Sequence, residues 1–248
     1  MHRLLLSEYL TSRSLLTVTT ILGLCWSVGV AQKVEKPATK VRYAEAIAAF
    51  QSKDSVEPTP LEAIVFTGSS IFRQWDSLAV QMAPLPVFNR AFGGSRTSDV
   101  LYHEDAVVLK YRPRLVVYYC GSNDINAGVP SDSILENIIR FKERLHAALP
   151  STHMIYTAIL RSPQKRLKWG MVDSVNRRVA AALTTDSRCR FVDLNPMVAD
   201  KTGEPVGAFY RNDSLHYQPA AYVEFTRGLK PVVEATWKEI YSSKGNER

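Results

Sequence analysis

The chain is poor in cysteine and lacks the spaced ligand pairs that usually bind metals. Three cysteines occur among 248 residues, and only Cys120 and Cys189 lie outside the first 31. Two cysteines permit one disulfide in an oxidising compartment but do not imply it. The sequence has neither a CxxC pair nor an HExxH motif, so it predicts no metal site and no cofactor.

An apolar run long enough to approach a membrane span occurs once, at the N-terminus. Residues 14–31 carry no charge, and a small-residue site ending at Ala31 precedes the charged Lys33. This pattern is typical of a secretory signal peptide over 1–31, and it predicts export to the periplasm or the medium. The alternative is an uncleaved membrane anchor, because the run is about as short as a spanning helix can be.

The composition is ordinary for a globular protein with a packed core. Hydrophobic residues make up 46% of the chain and charged residues 22%, which excludes intrinsic disorder and a multi-pass membrane protein. The net charge of +7 would suit nucleic acid, an acidic polysaccharide or a membrane surface, but the basic residues are dispersed. The densest basic stretch, 161–168, is interpreted as a solvated loop and helix start. No nucleic-acid partner is predicted, and the oligomeric state is left open.

Residues 32–60 are predicted to be a linker with a short alanine-rich helix at 43–50. Beyond them, apolar runs alternate with amphipathic stretches, which is typical of a parallel sheet covered by helices on both faces. We predict one domain over 61–248, a three-layer α/β/α sandwich with about five strands. The predicted strands are 63–67, 87–92, 115–120, 154–160 and 190–194, and the predicted helices are 97–110, 131–149, 167–184 and 220–241.

Small and polar residues follow several of these strands, at the edge where parallel sheets bind their ligands. Ser70 lies in Gly-Ser-Ser after the first run, Gly94 in Gly-Gly-Ser after the second, and Asn123 in Gly-Ser-Asn-Asp after the third. A fourth segment, Asp213 to His216, lies in a loop before the last helix. Each segment alone is ordinary turn or helix-cap chemistry. The four together predict a functional site.

The four segments resemble the sequence blocks of the SGNH, or GDSL-type, esterases and lipases, and in particular lysophospholipase-like and platelet-activating-factor acetylhydrolase-like members. The matching stretches are FTGSSI, NRAFGGS, GSND and DSLH, within residues 61–225. The resemblance implies a flavodoxin-like fold and a carboxylic ester hydrolase. It makes Ser70 the nucleophile, Asp213 and His216 the other triad members, and Gly94 and Asn123 donors of an oxyanion hole.

Nucleophilic attack by a serine on an ester requires these residue types, independently of the family resemblance. A serine hydroxyl needs a base to take its proton, and an imidazole held by a carboxylate is suited to that task. A glycine N–H and an asparagine amide can stabilise an oxyanion, and the Ser70 N–H at a helix start would add a third donor. Two positions depart from the family pattern: Ser69 stands where aspartate is usual, and Ala91 where glycine is frequent. Neither position carries a triad role.

Other polar residues near these segments receive structural interpretations. His103, His146 and His153 have no paired motif and are predicted to be structural or exposed. Asp99 is predicted to support a helix start and Asp124 to cap a turn beside Asn123. Asp193 is predicted to cap the end of a strand, with a position lining the site as the alternative. Arg73 and Trp75 follow Ser70 closely, and for them a pocket role and a helix-packing role remain open.

Several functions are compatible with these candidate triad and oxyanion residues. The leading hypothesis is an exported esterase acting on short acyl groups, mainly acetyl, of carbohydrates or small esters. The alternatives are a lysophospholipase or lipase, and an acyltransferase that uses the same triad with an alcohol acceptor. A non-catalytic carbohydrate-binding module is disfavoured, because no triad or oxyanion residue is missing.

Overall fold

Five apolar runs form a single parallel sheet in the computed structural model, which describes residues 41–57 and 59–245. The strands are β1 Ile64–Gly68, β2 Val87–Asn89, β3 Leu115–Tyr119, β4 His153–Thr157 and β5 Cys189–Val192. Their order is β2-β1-β3-β4-β5, and every neighbouring pair is parallel. The predicted flavodoxin-like architecture is therefore confirmed. The predicted signal peptide, 1–31, and the predicted linker as far as residue 40 lie outside the described residues.

Helices alternate with the strands, because parallel strands need long crossover connections. They are α1 Ala44–Val56, α2 Ser70–Arg73, α3 Leu78–Met82, α4 Thr97–Tyr102, α5 Glu104–Val107, α6 Ser122–Asn126, α7 Ser131–Ala148, α8 Trp169–Leu183 and α9 Pro219–Gly245. Short 3₁₀ helices occupy Leu109–Tyr111, Pro163–Lys168, Asn195–Val198 and Gly207–Phe209. Within the described residues, none of these helices combines the length and the apolar character needed to cross a bilayer.

Side chains of the strands alternate between two apolar layers, one on each face of the sheet. Val65, Val116 and Tyr118 belong to the layer beneath α4, α7 and α8, whereas Phe66 and Val117 belong to the layer beneath α2, α3 and α9. Because both faces are buried, the strands read as nearly continuous apolar runs in the sequence. The three layers follow directly from this two-sided burial.

Several predicted elements end earlier than expected, and for two of them the structure shows a side-chain contact at the break. The helix predicted over 97–110 is interrupted at His103, whose Nε2 lies 2.7 Å from the carbonyl oxygen of Arg42. The strand predicted over 87–92 ends at Asn89, because the Asn89 side chain accepts a hydrogen bond from the Ala91 N–H at 2.9 Å and turns the chain. Both interruptions come from specific side-chain contacts that the apolar pattern does not record.

The N-terminal helix is longer than the predicted 43–50 and packs onto the domain. Ile47 is buried in the apolar layer beneath α4, α7 and α8. Asp54 accepts hydrogen bonds from the Tyr111 hydroxyl at 2.7 Å and from Thr59, and it forms an ion pair with Arg90. These contacts fix α1 beside β2 and α5.

Glycine is required where β1 and β3 leave the sheet. Gly68 has a φ of +126°, and a Cβ placed on it would lie 1.8 Å from the carbonyl oxygen of Tyr119. Gly121, after β3, has a φ of +118°. Such backbone conformations are open mainly to glycine. The two glycines turn the chain abruptly, so that the residues after both strands lie at the same edge of the sheet.

Candidate active site

Ser70 lies directly beyond β1, at the first residue of α2. Ser69 is extended, and its N–H donates to the carbonyl oxygen of Tyr119 at 3.0 Å, so the turn is tied to β3. The next two residues, Ile71 and Phe72, are buried in the apolar layer on the α9 side of the sheet. Ser70 is thereby presented on a short turn whose following residues are anchored in the core.

The loop that carries Asp213 and His216 is held by hydrogen bonds rather than by burial. Asp213 Oδ1 accepts the N–H groups of Leu215 at 3.0 Å and His216 at 2.9 Å, while Ser214 adopts a left-handed φ of 55°. At the base of the loop, Tyr210 and Tyr217 form an antiparallel bridge. This tight turn orients Asp213 and His216 side by side.

The three predicted triad residues come together as one hydrogen-bonded chain. His216 Nδ1 lies 2.6 Å from Asp213 Oδ2, and His216 Nε2 lies 2.9 Å from Ser70 Oγ. Burial opposes ionisation of Asp213, but the hydrogen bonds from the His216 ring and from two main-chain N–H groups outweigh it and lower the pKa of Asp213 to about 2. A carboxylate in this position orients the ring so that its far nitrogen can accept the hydroxyl proton.

The predicted oxyanion residues line the same cleft. Gly94 has a left-handed φ of 77°, and Asn123 lies in the first turn of α6. Asn123 Nδ2 donates one hydrogen bond to the carbonyl oxygen of Ser95 at 2.9 Å, which ties the two loops together. A shallow cleft of about 450 Å³ is lined by Ser70, Arg73, Gln74, Gly93, Gly94, Asn123 and His216. The amide hydrogen left over on Asn123 is a potential donor to this space.

Structural roles are predicted for two aspartates near the cleft, and the structure confirms one of these roles. Asp99 accepts the Arg96 N–H at 2.8 Å and so supports the start of α4, as predicted. The prediction that Asp124 caps a turn beside Asn123 is wrong. Its buried carboxylate accepts the N–H of Thr97 at 3.0 Å and the Thr97 hydroxyl at 2.7 Å. It therefore joins the loop after β2 to the loop after β3. Burial raises the pKa of Asp124 in spite of these bonds.

The remaining candidates lie apart from the triad. His103 bonds the Arg42 carbonyl as described above, and Asp193 accepts hydrogen bonds from Asn195 in a turn after β5. His146 lies near Asp186 and Cys189 at the opposite edge of the sheet, with His146 Nδ1 3.2 Å from Asp186. Arg188 holds both carboxylate oxygens of Asp186. Cys120 and Cys189 are both buried free thiols.

Two residues close to the site, Tyr43 and Lys165, carry no signal in the four sequence segments. The Tyr43 hydroxyl lies 3.3 Å from the position that a Cβ on Gly94 would occupy. Lys165 is buried next to the loop that carries His216, because the neighbouring Gln164 N–H donates to the Ser214 carbonyl oxygen at 3.1 Å. Arg73, for which a pocket role and a packing role are both open in the sequence, lies against Gly93 and lines the cleft. Trp75, whose role was left open, is buried in the core and does not line the cleft.

A parallel α/β sheet with a serine, a histidine and an aspartate in one hydrogen-bonded chain is typical of serine hydrolases. The model of the GDSL-like Lipase/Acylhydrolase family matches residues 67–223. The chain therefore belongs to this family and is a carboxylic ester hydrolase, as the sequence segments predicted.

Solved structures share the fold at low sequence identity. A GDSL-like lipase from Bacteroides thetaiotaomicron is 19% identical, with a TM-score of 0.65 over 76% of this chain and 97% of that one. A catalytic mutant of an acetylxylan esterase from Geobacillus stearothermophilus is 12% identical, with a TM-score of 0.57 over 68% of this chain and 93% of that one. No curated protein matches the chain.

Proposed function

We propose that the chain is an exported serine esterase that removes short acyl groups, mainly acetyl, from carbohydrates or small esters through an acyl-enzyme on Ser70. The observation that carries this proposal is the hydrogen-bonded chain from Asp213 through His216 to Ser70, which opens into a cleft with Gly94 and Asn123. Each member has a distinct task in acyl transfer.

In the first half-reaction, His216 Nε2 takes the proton of the Ser70 hydroxyl while Oγ attacks the ester carbonyl carbon. The carbonyl oxygen becomes an oxyanion, and the N–H groups of Ser70 and Gly94 and the Asn123 amide stabilise it. When the intermediate collapses, the C–O bond to the alcohol breaks and His216 returns the proton to the departing oxygen. Asp213 stabilises the imidazolium throughout.

In the second half-reaction, water replaces the alcohol. His216 takes a proton from water as its oxygen attacks the acyl-enzyme, and the Ser70 oxygen leaves with that proton. The products are the carboxylic acid and the free enzyme. An alcohol in place of water would give acyl transfer at the same residues, so the acceptor that enters the cleft separates these two outcomes.

The lining of the cleft supports a short acyl group. A long-chain lipase needs an extended apolar groove beside its nucleophile, because the acyl chain must leave water. Here Arg73, Gln74, Asn123 and His216 give the described lining a large polar share, in a cleft of about 450 Å³. The acetylxylan esterase named above shares the fold and is consistent with an acetyl ester on carbohydrate.

The test is hydrolysis of p-nitrophenyl esters from acetate to palmitate by the wild type, by Ser70→Ala and by Ser69→Ala. Ser69 is the matched control, because it is the adjacent serine and its side chain is fully buried. We expect turnover of acetate and butyrate that is lost in Ser70→Ala and kept in Ser69→Ala. Activity that survives Ser70→Ala would overturn the mechanism, and a maximum at palmitate would favour a lipase.

Export is supported by the N-terminal sequence pattern alone. Mass spectrometry of the protein isolated from its host is expected to find Gln32 as the first residue, since cleavage is predicted after Ala31. An intact N-terminus in the membrane fraction would favour the anchor instead.

A further inference from the structure

Arg73 carries a positive charge at the lining of the cleft. It is the last residue of α2, one helical turn after Ser70, and its side chain lines the cleft while remaining exposed to solvent. Most arginines of the described residues form an ion pair, as Arg161 does with Asp173 at 2.6 Å. No ion pair of Arg73 occurs within residues 41–57 and 59–242. Its positive charge is therefore not neutralised by a carboxylate in that part of the chain.

The guanidinium of Arg73 lies against the loop after β2. A Cβ placed on Gly93 would lie 2.8 Å from Arg73 Nε and 3.4 Å from Arg73 Cδ. The side chain thus lies directly on the main chain of Gly93, where any larger residue would displace it. Gly93 precedes Gly94, so the guanidinium lies beside the proposed oxyanion donor.

The cleft lining beside Arg73 favours an anion. The cleft lining includes no aspartate or glutamate among the described residues, and Asp213, behind His216, is already engaged by the ring and by two N–H groups. The planar guanidinium matches the geometry of carboxylate and phosphate oxygens and can hold either through two parallel hydrogen bonds. A neutral acyl or alcohol group would leave this capacity unused.

We infer that Arg73 forms an anion subsite, and that the preferred substrates are esters with a carboxylate or phosphate close to the scissile carbonyl. The inference rests on the proposed esterase function and adds the charge of the substrate to it. The anion belongs either to the acyl part, as in a dicarboxylic half-ester, or to the alcohol part, as in an acylated sugar acid or a glycerol phosphate.

Two matched substrate pairs separate these sources. The first pair is mono-p-nitrophenyl succinate and its neutral methyl ester, which differ by a charge on the acyl side. The second pair is acetylglycerol phosphate and acetylglycerol, which differ by a charge on the alcohol side. In at least one pair we expect the charged member to have a kcat/KM about tenfold higher, as one charged hydrogen-bonded contact would give.

The variants are Arg73→Met, Arg73→Lys and the control Arg140→Met, which removes an equal charge from the exposed side of α7. Arg73→Met should abolish the preference for the charged member, mainly through KM, and Arg73→Lys should keep part of it. Arg140→Met should leave the ratio unchanged, and added salt should reduce it in the wild type. An unchanged ratio in Arg73→Met would overturn the inference.

Binding provides a readout that does not depend on turnover. In a Ser70→Ala background, calorimetry with monomethyl succinate should show binding that weakens about tenfold when Arg73→Met is added, and dimethyl succinate should bind no better in either protein. Equal binding of both compounds, or binding that ignores Arg73, would contradict the subsite. If the wild type hydrolysed no ester, the proposed esterase function would be contradicted. The binding experiment would still decide whether Arg73 forms an anion subsite.

Discussion

Ser70 and His216 meet at 2.9 Å, yet they come from two regions that are held by different forces. Ser70 follows the fully buried strand β1, and the residues after it are anchored in the apolar layer on the α9 side. His216 lies in an irregular loop, where the Asp213 side chain is 49% exposed and hydrogen bonds fix the turn. Burial positions one side of the cleft and local hydrogen bonds position the other. Changes beneath Ser70 should therefore appear in stability, and changes in the His216 loop should appear in turnover.

The largest effect is expected in the exposed loop, where Asp213→Asn should lower kcat about 10⁴-fold with little change in melting temperature. An amide cannot enforce the tautomer that His216 needs, although the turn can still form. Asp193→Asn is the control, because Asp193 forms a similar turn with Asn195 outside the cleft. If Asp213→Asn unfolded the protein, the loop would contribute more to stability than its exposure indicates.

On the buried side, Trp75→Ala should cost about 3–5 kcal/mol of unfolding free energy, because it empties a large site in the core. Trp75 is 2% exposed and packs against Phe66, Phe72 and Tyr222. Urea denaturation measures the loss, and the partly buried Trp237→Ala serves as the comparison with a smaller expected cost. A Trp75→Ala protein of wild-type stability would remove the distinction between the two regions.

Asn123 lies between the two regions. Asn123→Ala should lower kcat about 10²–10³-fold, since it removes one proposed oxyanion donor. The matched control is Asn126→Ala, three residues later in α6, where the side chain bonds Gln164 at 3.2 Å. Steady-state kinetics on p-nitrophenyl acetate should show the loss in kcat and little change in KM. Equal losses in both variants would indicate damage to α6 rather than to the oxyanion hole.

The smallest effect concerns the support of the His216 loop. Burial and the nearby Lys168 charge lower the pKa of Lys165 to about 8, whereas Asp213 opposes the shift. An unfolded lysine titrates near pH 10, so between about pH 8 and 10 the unfolded chain binds more protons and stability rises with pH. Lys165→Met should therefore be more stable than the wild type by about 1–3 kcal/mol at pH 7, with a smaller difference at pH 10.

Denaturation at both pH values measures this difference, and the exposed Lys238→Met supplies the baseline. A gain in Lys165→Met that is the same at pH 7 and pH 10 would mean that the charge on Lys165 is not its cause.

The same contrast explains what the sequence could predict. Strands such as β1 and β3 are buried on both faces, so their apolar runs were visible without a structure. The loop with Asp213 and His216 has no such pattern, and only its resemblance to a family segment identified it. The bond from Asp124 to Thr97 joins residues 27 positions apart, and the break at His103 depends on Arg42. Contacts of this kind depend on the assembled fold and leave no local signal.

The start of the described chain has a practical consequence for anyone who shortens the gene for expression. Arg42 pairs with Asp99 at 3.0 Å, its carbonyl meets His103, and the Tyr43 hydroxyl lies against Gly94. A truncated chain that starts at Ala44 keeps all four family segments, so the sequence alone gives no reason to expect a loss of activity. It would nevertheless lack the side chain that backs Gly94. A shortened gene should therefore keep the codons of Arg42 and Tyr43.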